Sequence, residues 1–120
     1  MSAKGHTTAM AGEFCVMERL FRLGHEAALT LGNAKTVDIL TKAPTGNVFQ
    51  VSVKATRQAG KWGIGATDYS KEKNLVFVLL HYGDFENQNS FPDVWVVPAK
   101  VAEELKRPWL NDTSAIYFSN

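Results

Sequence analysis

Six consecutive apolar residues, Leu75-Val76-Phe77-Val78-Leu79-Leu80, constrain this chain more than any other feature. The run is too short for an ordinary helix and carries no polar position, the pattern of a strand buried on both faces. A strand of that kind lies inside a sheet, with material packed above and below it. A second apolar stretch, Val94-Trp95-Val96-Val97, follows after a loop from Gly83 to Pro92 and reads as another short strand.

Upstream, Phe14, Val16, Met17, Leu20, Phe21 and Leu23 recur at three-to-four spacing, which predicts an amphipathic helix from about Thr8 to Leu23 with Gly24 as its stop. Glu26 to Leu31 reads as a short strand, Gly32-Asn33-Ala34-Lys35 as a turn, and Thr36 to about Lys42 as a second strand. Pro44-Thr45-Gly46-Asn47 has turn residues and joins it to a third strand, Val48 to Thr56, in an antiparallel hairpin. Arg57 to Asn74 is polar and holds Gly60, Gly63 and Gly65, so it reads as a mobile loop. Pro98 opens a second helix through Val101, Ala102 and Leu105, and Pro108 closes it. The order is helix, three strands, two further strands and a helix: an α/β domain with a central sheet of about five strands, occupying residues 1–120 as one unit.

Composition narrows the function. The chain of 120 residues is 45% hydrophobic and 21% charged, values of an ordinary globular protein, and no segment is apolar for long enough to cross a bilayer. The first residues lack the apolar core of a signal peptide, and the lone Cys15 reads as a small buried hydrophobe of a reducing compartment, so a cytoplasmic protein with no membrane partner is expected and the sequon Asn111-Asp112-Thr113 is taken as chance. His6, His25 and His81 share no ligand spacing with one another or with Cys15, which argues against zinc. Gly63-Ile64-Gly65 lacks the third glycine and the strand-to-helix setting of a dinucleotide fingerprint. A net charge of +1 excludes coating nucleic acid by bulk charge. Locally, however, Lys54, Arg57, Lys61, Lys71 and Lys73 face only Asp68 and Glu72, a bias that suits a solvated loop or a phosphate contact equally well.

The third strand alternates without a break. Phe49, Val51, Val53 and Ala55 fall on one face, and Gln50, Ser52, Lys54 and Thr56 on the other. A hairpin register that sets Asp38 opposite Lys54 centres the turn on Thr45, Gly46 and Asn47. Such a pair is either an ordinary ion pair, which contributes little when exposed, or part of a site.

The succession Gly12-Glu13, Leu20-Phe21-Arg22-Leu23-Gly24, Val37-Asp38-Ile39 and Ser52-Val53-Lys54-Ala55-Thr56 resembles the PD-(D/E)XK nuclease superfamily, in particular its small branch similar to Holliday-junction resolvases and restriction-like endonucleases. The likeness covers about Gly12 to Thr56, and the later strand and helix fit its order. It implies a restriction-endonuclease-like fold, with Asp38, Lys54 and Glu13 as catalytic residues. It also implies Mg²⁺ or Mn²⁺, weakly bound, on Asp38 and Glu13 with the Val53 carbonyl, and DNA as the nucleic-acid partner, cut by phosphodiester hydrolysis. A second copy would then be needed to cut both strands of a duplex in a coordinated way. Gln50, Ser52, Thr56, Arg57, Lys61 and Trp62 would contact substrate, with Arg57 and Lys61 on phosphates and Trp62 stacked on a base. Trp62 between its glycines reads equally as cover for the core.

Ser52 departs from the family pattern, which has an acid two residues before the lysine. A Glu at this position would restore acid-x-Lys. The departure favours the alternative, a catalytically silent protein of the same fold serving as an immunity or accessory module. An unrelated α/β protein with a coincidental Asp-Lys pair is the third reading.

Overall fold

The computed structural model describes residues 3–30, 37–58 and 60–118. Helix α1, Ala3–Arg22, starts earlier than the apolar spacing indicates, because its first turns are small and polar. Thr7 and Thr8 are accommodated there by donating their hydroxyls to the Ala3 and Lys4 carbonyls one turn back. At its end the Gly24 amide bonds to the Phe21 carbonyl and the His25 amide to that of Leu20, with Gly24 at φ +88°, a Schellman stop that needs a residue without Cβ.

Five strands form the main sheet in the order β1, β2, β3, β5, β6: β1 Glu26–Leu29, β2 Ile39–Lys42, β3 Val48–Thr56, β5 Leu75–His81 and β6 Asp93–Pro98. All neighbours are antiparallel except β3 and β5, which are parallel, so the sheet is mixed. Helix α2, Ala99–Leu105, follows β6 directly. The proposed turn Gly32–Lys35 and the first residue of the second strand, Thr36, lie outside the described residues.

The segment Arg57–Asn74 differs from its sequence-based reading. It contains strand β4, Lys61–Gly65, which pairs with β8, Ser114–Tyr117; β8 in turn pairs with the two-residue β7, Arg107–Pro108, to make a second, three-stranded sheet. In β4 only Trp62 and Ile64 are buried, and Gly63 and Gly65 hide the period of two. Gly63 lets the Trp109 ring lie directly on the strand, since a Cβ there would come 2.4 Å from the ring and push it aside.

The interior strand β5 has both faces covered, as its apolar run requires. Val78 and Leu80 pack with Val16, Ile39, Val51 and Val53 beneath α1. Leu75, Phe77 and Leu79 pack with Trp62, Ile64, Ile116 and Ala102 beneath the small sheet and α2. On this second side Trp62, Trp95 and Phe118 form an aromatic cluster with ring centroids 5.1 to 5.8 Å apart.

The hairpin register is shifted from the expected one. Ile39 pairs with Val51 and Leu40 with Gln50, so Asp38 comes level with Ser52 rather than with Lys54. The five-residue loop Ala43–Asn47 decides this. It closes with the Ala43 amide on the Asn47 carbonyl and the Gly46 amide on the Ala43 carbonyl, with Gly46 at φ +95°.

Candidate functional site

Pairing of β2 with β3 stops at Ile39 and Val51, and the two strands part there. Along β3 the backbone groups alternate in direction. The Gln50 amide bonds to Asn74 and the Thr56 carbonyl to Tyr82 on the β5 side, whereas the Val51 carbonyl accepts from the Asp38 amide on the β2 side. Val53 shares the direction of Val51, so its amide and carbonyl face the gap that opens beyond β2. Asp38 occupies that gap: its Oδ2 accepts the Val53 N–H at 2.7 Å.

The gap forms one wall of an open cleft of about 510 Å³ that Glu13, Asp38, Val53, Lys54, Thr56 and Lys61 line. Glu13, 7% exposed, reaches it from α1. Close packing puts it there, since a Cβ on Gly12 would lie 2.7 Å from the Ala55 Cβ, and only glycine lets the helix approach β3 so nearly. Lys54 arrives from β3 and is half-buried; among the described residues its ammonium makes no ion pair or hydrogen bond. Asp38 and Lys54 thus share the cleft despite the shifted register, because Asp38 precedes the paired part of β2 and bends towards Val53. Among the described residues no three His, Cys, Asp or Glu side chains gather as a metal site. The oxygen donors that line the cleft are the two carboxylates and main-chain or hydroxyl oxygen. Such hard ligands fit Mg²⁺ or Mn²⁺, because Mg²⁺ is commonly held by one or two carboxylates with water in the remaining positions.

Four of the predicted contacts are placed otherwise. Gln50 is exposed one end of β3 away from the cleft, and Ser52, 2% exposed, is closed off beside Phe77 in the core; neither lines the cleft. The unbroken polar face read from β3 is therefore divided, because the small sheet packs over its middle through β4. Trp62 is 2% exposed and donates its Nε1–H to the Leu80 carbonyl at 3.0 Å. It lies at the floor of the cleft, packed edge-on against Trp95 and Phe118, and at 2% exposure leaves too little ring surface for a base to stack on. Arg57 turns away from the cleft towards a neighbouring cavity.

Sequence reasoning passed over Gly5 and Ala9, which line the cleft together with Glu13. Their spacing of four residues, small-small-acid on one helix stripe, is the signal that could have found them. It also passed over Trp109, whose ring lies against Gly63 and 4.9 Å from the Lys61 ammonium.

No protein-family model matches the sequence, and no curated protein matches it. Among solved structures, the fold is similar to that of a bacterial homing endonuclease, I-Ssp6803I, with a TM-score of 0.56 and 15% identity over 99% of this chain and 76% of that one. Likeness at that identity speaks for architecture. The chain therefore has a restriction-endonuclease-like fold, a helix followed by a mixed five-stranded sheet and a second helix, distantly similar in structure to that homing endonuclease.

Proposed function

We propose that this chain is a nucleic-acid-binding domain that hydrolyses phosphodiester bonds of DNA with the help of Mg²⁺ or Mn²⁺. The observation that carries this reading is the meeting of Glu13, Asp38, Val53 and Lys54 in one open cleft, on a fold shared with an endonuclease. Asp38 and Glu13, with the Val53 carbonyl, would hold the cation, which when bound polarises the phosphate and lowers the pKa of a water. Lys54, without another partner among the described residues, would stand against the phosphate and stabilise the negative charge that grows as the bond breaks. Lys61 and Thr56 would hold neighbouring backbone oxygens. Cutting both strands of a duplex would take a homodimer.

A specific observation favours a second reading. Ser52 is buried where the nuclease pattern has an acid, which leaves two carboxylates in the cleft. A silent module that binds a protein partner through the same fold, in an immunity or accessory role, needs no more than that. Nuclease assays on plasmid, single-stranded and branched DNA, with Mg²⁺ and Mn²⁺ titrations of the wild type, Asp38→Asn and Lys54→Ala, separate the two. Metal-dependent cleavage lost in both variants supports the nuclease. Folded wild type that neither binds metal nor cleaves leaves the silent module.

A further inference from the structure

Next to the cleft, sharing Gly5, Ala55 and Thr56 with it, is a second cavity of about 250 Å³. Its remaining walls are Lys4, Thr8, Arg57 and Gln58, so it presents two cations and no carboxylate. Arg57 is held there at two points. Its Nε donates to Thr8 Oγ1 at 2.7 Å, and its guanidinium carbon lies 3.7 Å from the centroid of the Phe85 ring. Thr8 is itself fixed, 5% exposed and donating to the Lys4 carbonyl at 2.9 Å. Among the described residues the guanidinium makes no other hydrogen bond and no ion pair, so its terminal N–H groups are left for something else.

An arginine used only for solvation has no need of such bracing. A planar group fixed through Nε and one face keeps its outer donors in a set direction, which suits the paired oxygens of a phosphate and reduces the ordering cost of binding it. We propose that Arg57 and Lys4 form a phosphate-binding subsite for the nucleic-acid backbone. It takes a non-reacting phosphate of the same strand whose scissile phosphate lies in the cleft. The two cavities adjoin along the wall of Gly5, Ala55 and Thr56, an arrangement that suits successive phosphates of a polymer backbone better than a free anion. This inference rests on the nucleic-acid reading above and assigns it a second contact, outside the chemistry.

The test is binding of labelled single-stranded and duplex DNA oligonucleotides by fluorescence anisotropy over a salt series, in EDTA so that cleavage plays no part. Arg57→Gln and Lys4→Gln should each weaken binding, and each should reduce the slope of log K against log salt by about 0.9 on duplex or 0.7 on single strands. Lys42→Gln, at the far end of β2, should leave the slope unchanged. Lys4 is exposed, so its variant guards against a folding defect in Arg57→Gln. Inorganic phosphate should compete only weakly. Unchanged slopes in both variants overturn the subsite, as does tight binding of inorganic phosphate with oligonucleotide binding unaffected. Cleavage by the wild type with unchanged slopes rejects the subsite alone, and altered slopes without cleavage reject the nuclease alone. A wild type that binds neither oligonucleotide at low salt rejects both.

Discussion

Asp38 closes the open end of the β2–β3 ladder with its side chain, accepting at 2.7 Å the Val53 amide that a strand partner would otherwise take. The carboxylate that sequence places in a metal site is thus also a structural acceptor. Asp38→Ala should cost about 1–3 kcal/mol by leaving that amide without its acceptor. Asp38→Asn keeps an acceptor oxygen and should stay within about 1 kcal/mol of wild type, while losing metal binding and cleavage. Denaturant unfolding beside metal titration separates the two contributions.

Gly12→Ala should destabilise although alanine is the better helix former. The propensity gain is about 1 kcal/mol. Against it, the new Cβ would sit 2.7 Å from the Ala55 Cβ, an atom fixed to the β3 backbone that cannot swing aside. Overpacking of that kind costs about 1–3 kcal/mol and should win, lifting α1 and withdrawing Glu13 from the cleft. Chemical denaturation should show lower stability, and the proposed nuclease activity should fall with it; unchanged stability would mean that α1 can move off β3 at little cost.

Trp62→Ala should act on the fold before it acts on binding. The ring is buried against Trp95 and Phe118 and bonded to the Leu80 carbonyl, so truncation should cost about 3–5 kcal/mol. Trp62→Phe should recover part of this. DNA affinity measured on the folded fraction of Trp62→Phe should match wild type, in contrast to the loss that a base-stacking ring would give.

Ser52→Glu, which restores acid-x-Lys on paper, is expected to destabilise instead. The position is 2% exposed and paired with Phe77, so a carboxylate there would be desolvated and held protonated. Because its pKa would be raised in the folded state, the loss should grow as pH rises above the ordinary range of a glutamic acid, reaching about 3–5 kcal/mol near neutrality. Unfolding curves at pH 4 and pH 7 check this; a variant as stable as wild type that binds metal more tightly would show that the strand can turn residue 52 outwards.

Tyr82 supplies an alkaline limb to stability. Burial first, and the Cys15 thiol beside it second, push its phenol up to about 12 from 10. Between those values the unfolded chain loses this proton and the folded one keeps it, so stability present below pH 10 should decline as pH rises towards 12. Tyr82→Phe should flatten that part of the decline in thermal melts from pH 9 to pH 12.

Local patterns were enough for the elements whose pattern is itself the cause. The apolar run of β5, the alternation of β3 and the glycine after α1 each state their burial or their stop in consecutive residues, because strand and helix periods act over a few positions. Asp38 and Lys54 were legible as site candidates for a related reason, a charged residue set in an apolar or alternating strand, whereas Gly12-Glu13 was picked out only by the resemblance to a nuclease family. Other features depend on distant chain. Strand β4 exists because Trp109 fills the space over Gly63 and β8 supplies its ladder, and Trp62 is core because Trp95 and Phe118 close over it. Ser52 is buried because a second sheet covers the middle of a strand that reads as half-polar. The register that sets Asp38 beside Val53 follows from loop closure at Gly46, and the bracing of Arg57 by Thr8 and Phe85 joins three elements far apart in sequence. Periodicity reports how one element divides its faces; only tertiary packing decides what covers each face, and therefore which polar side chains remain in a cleft and which are sealed away.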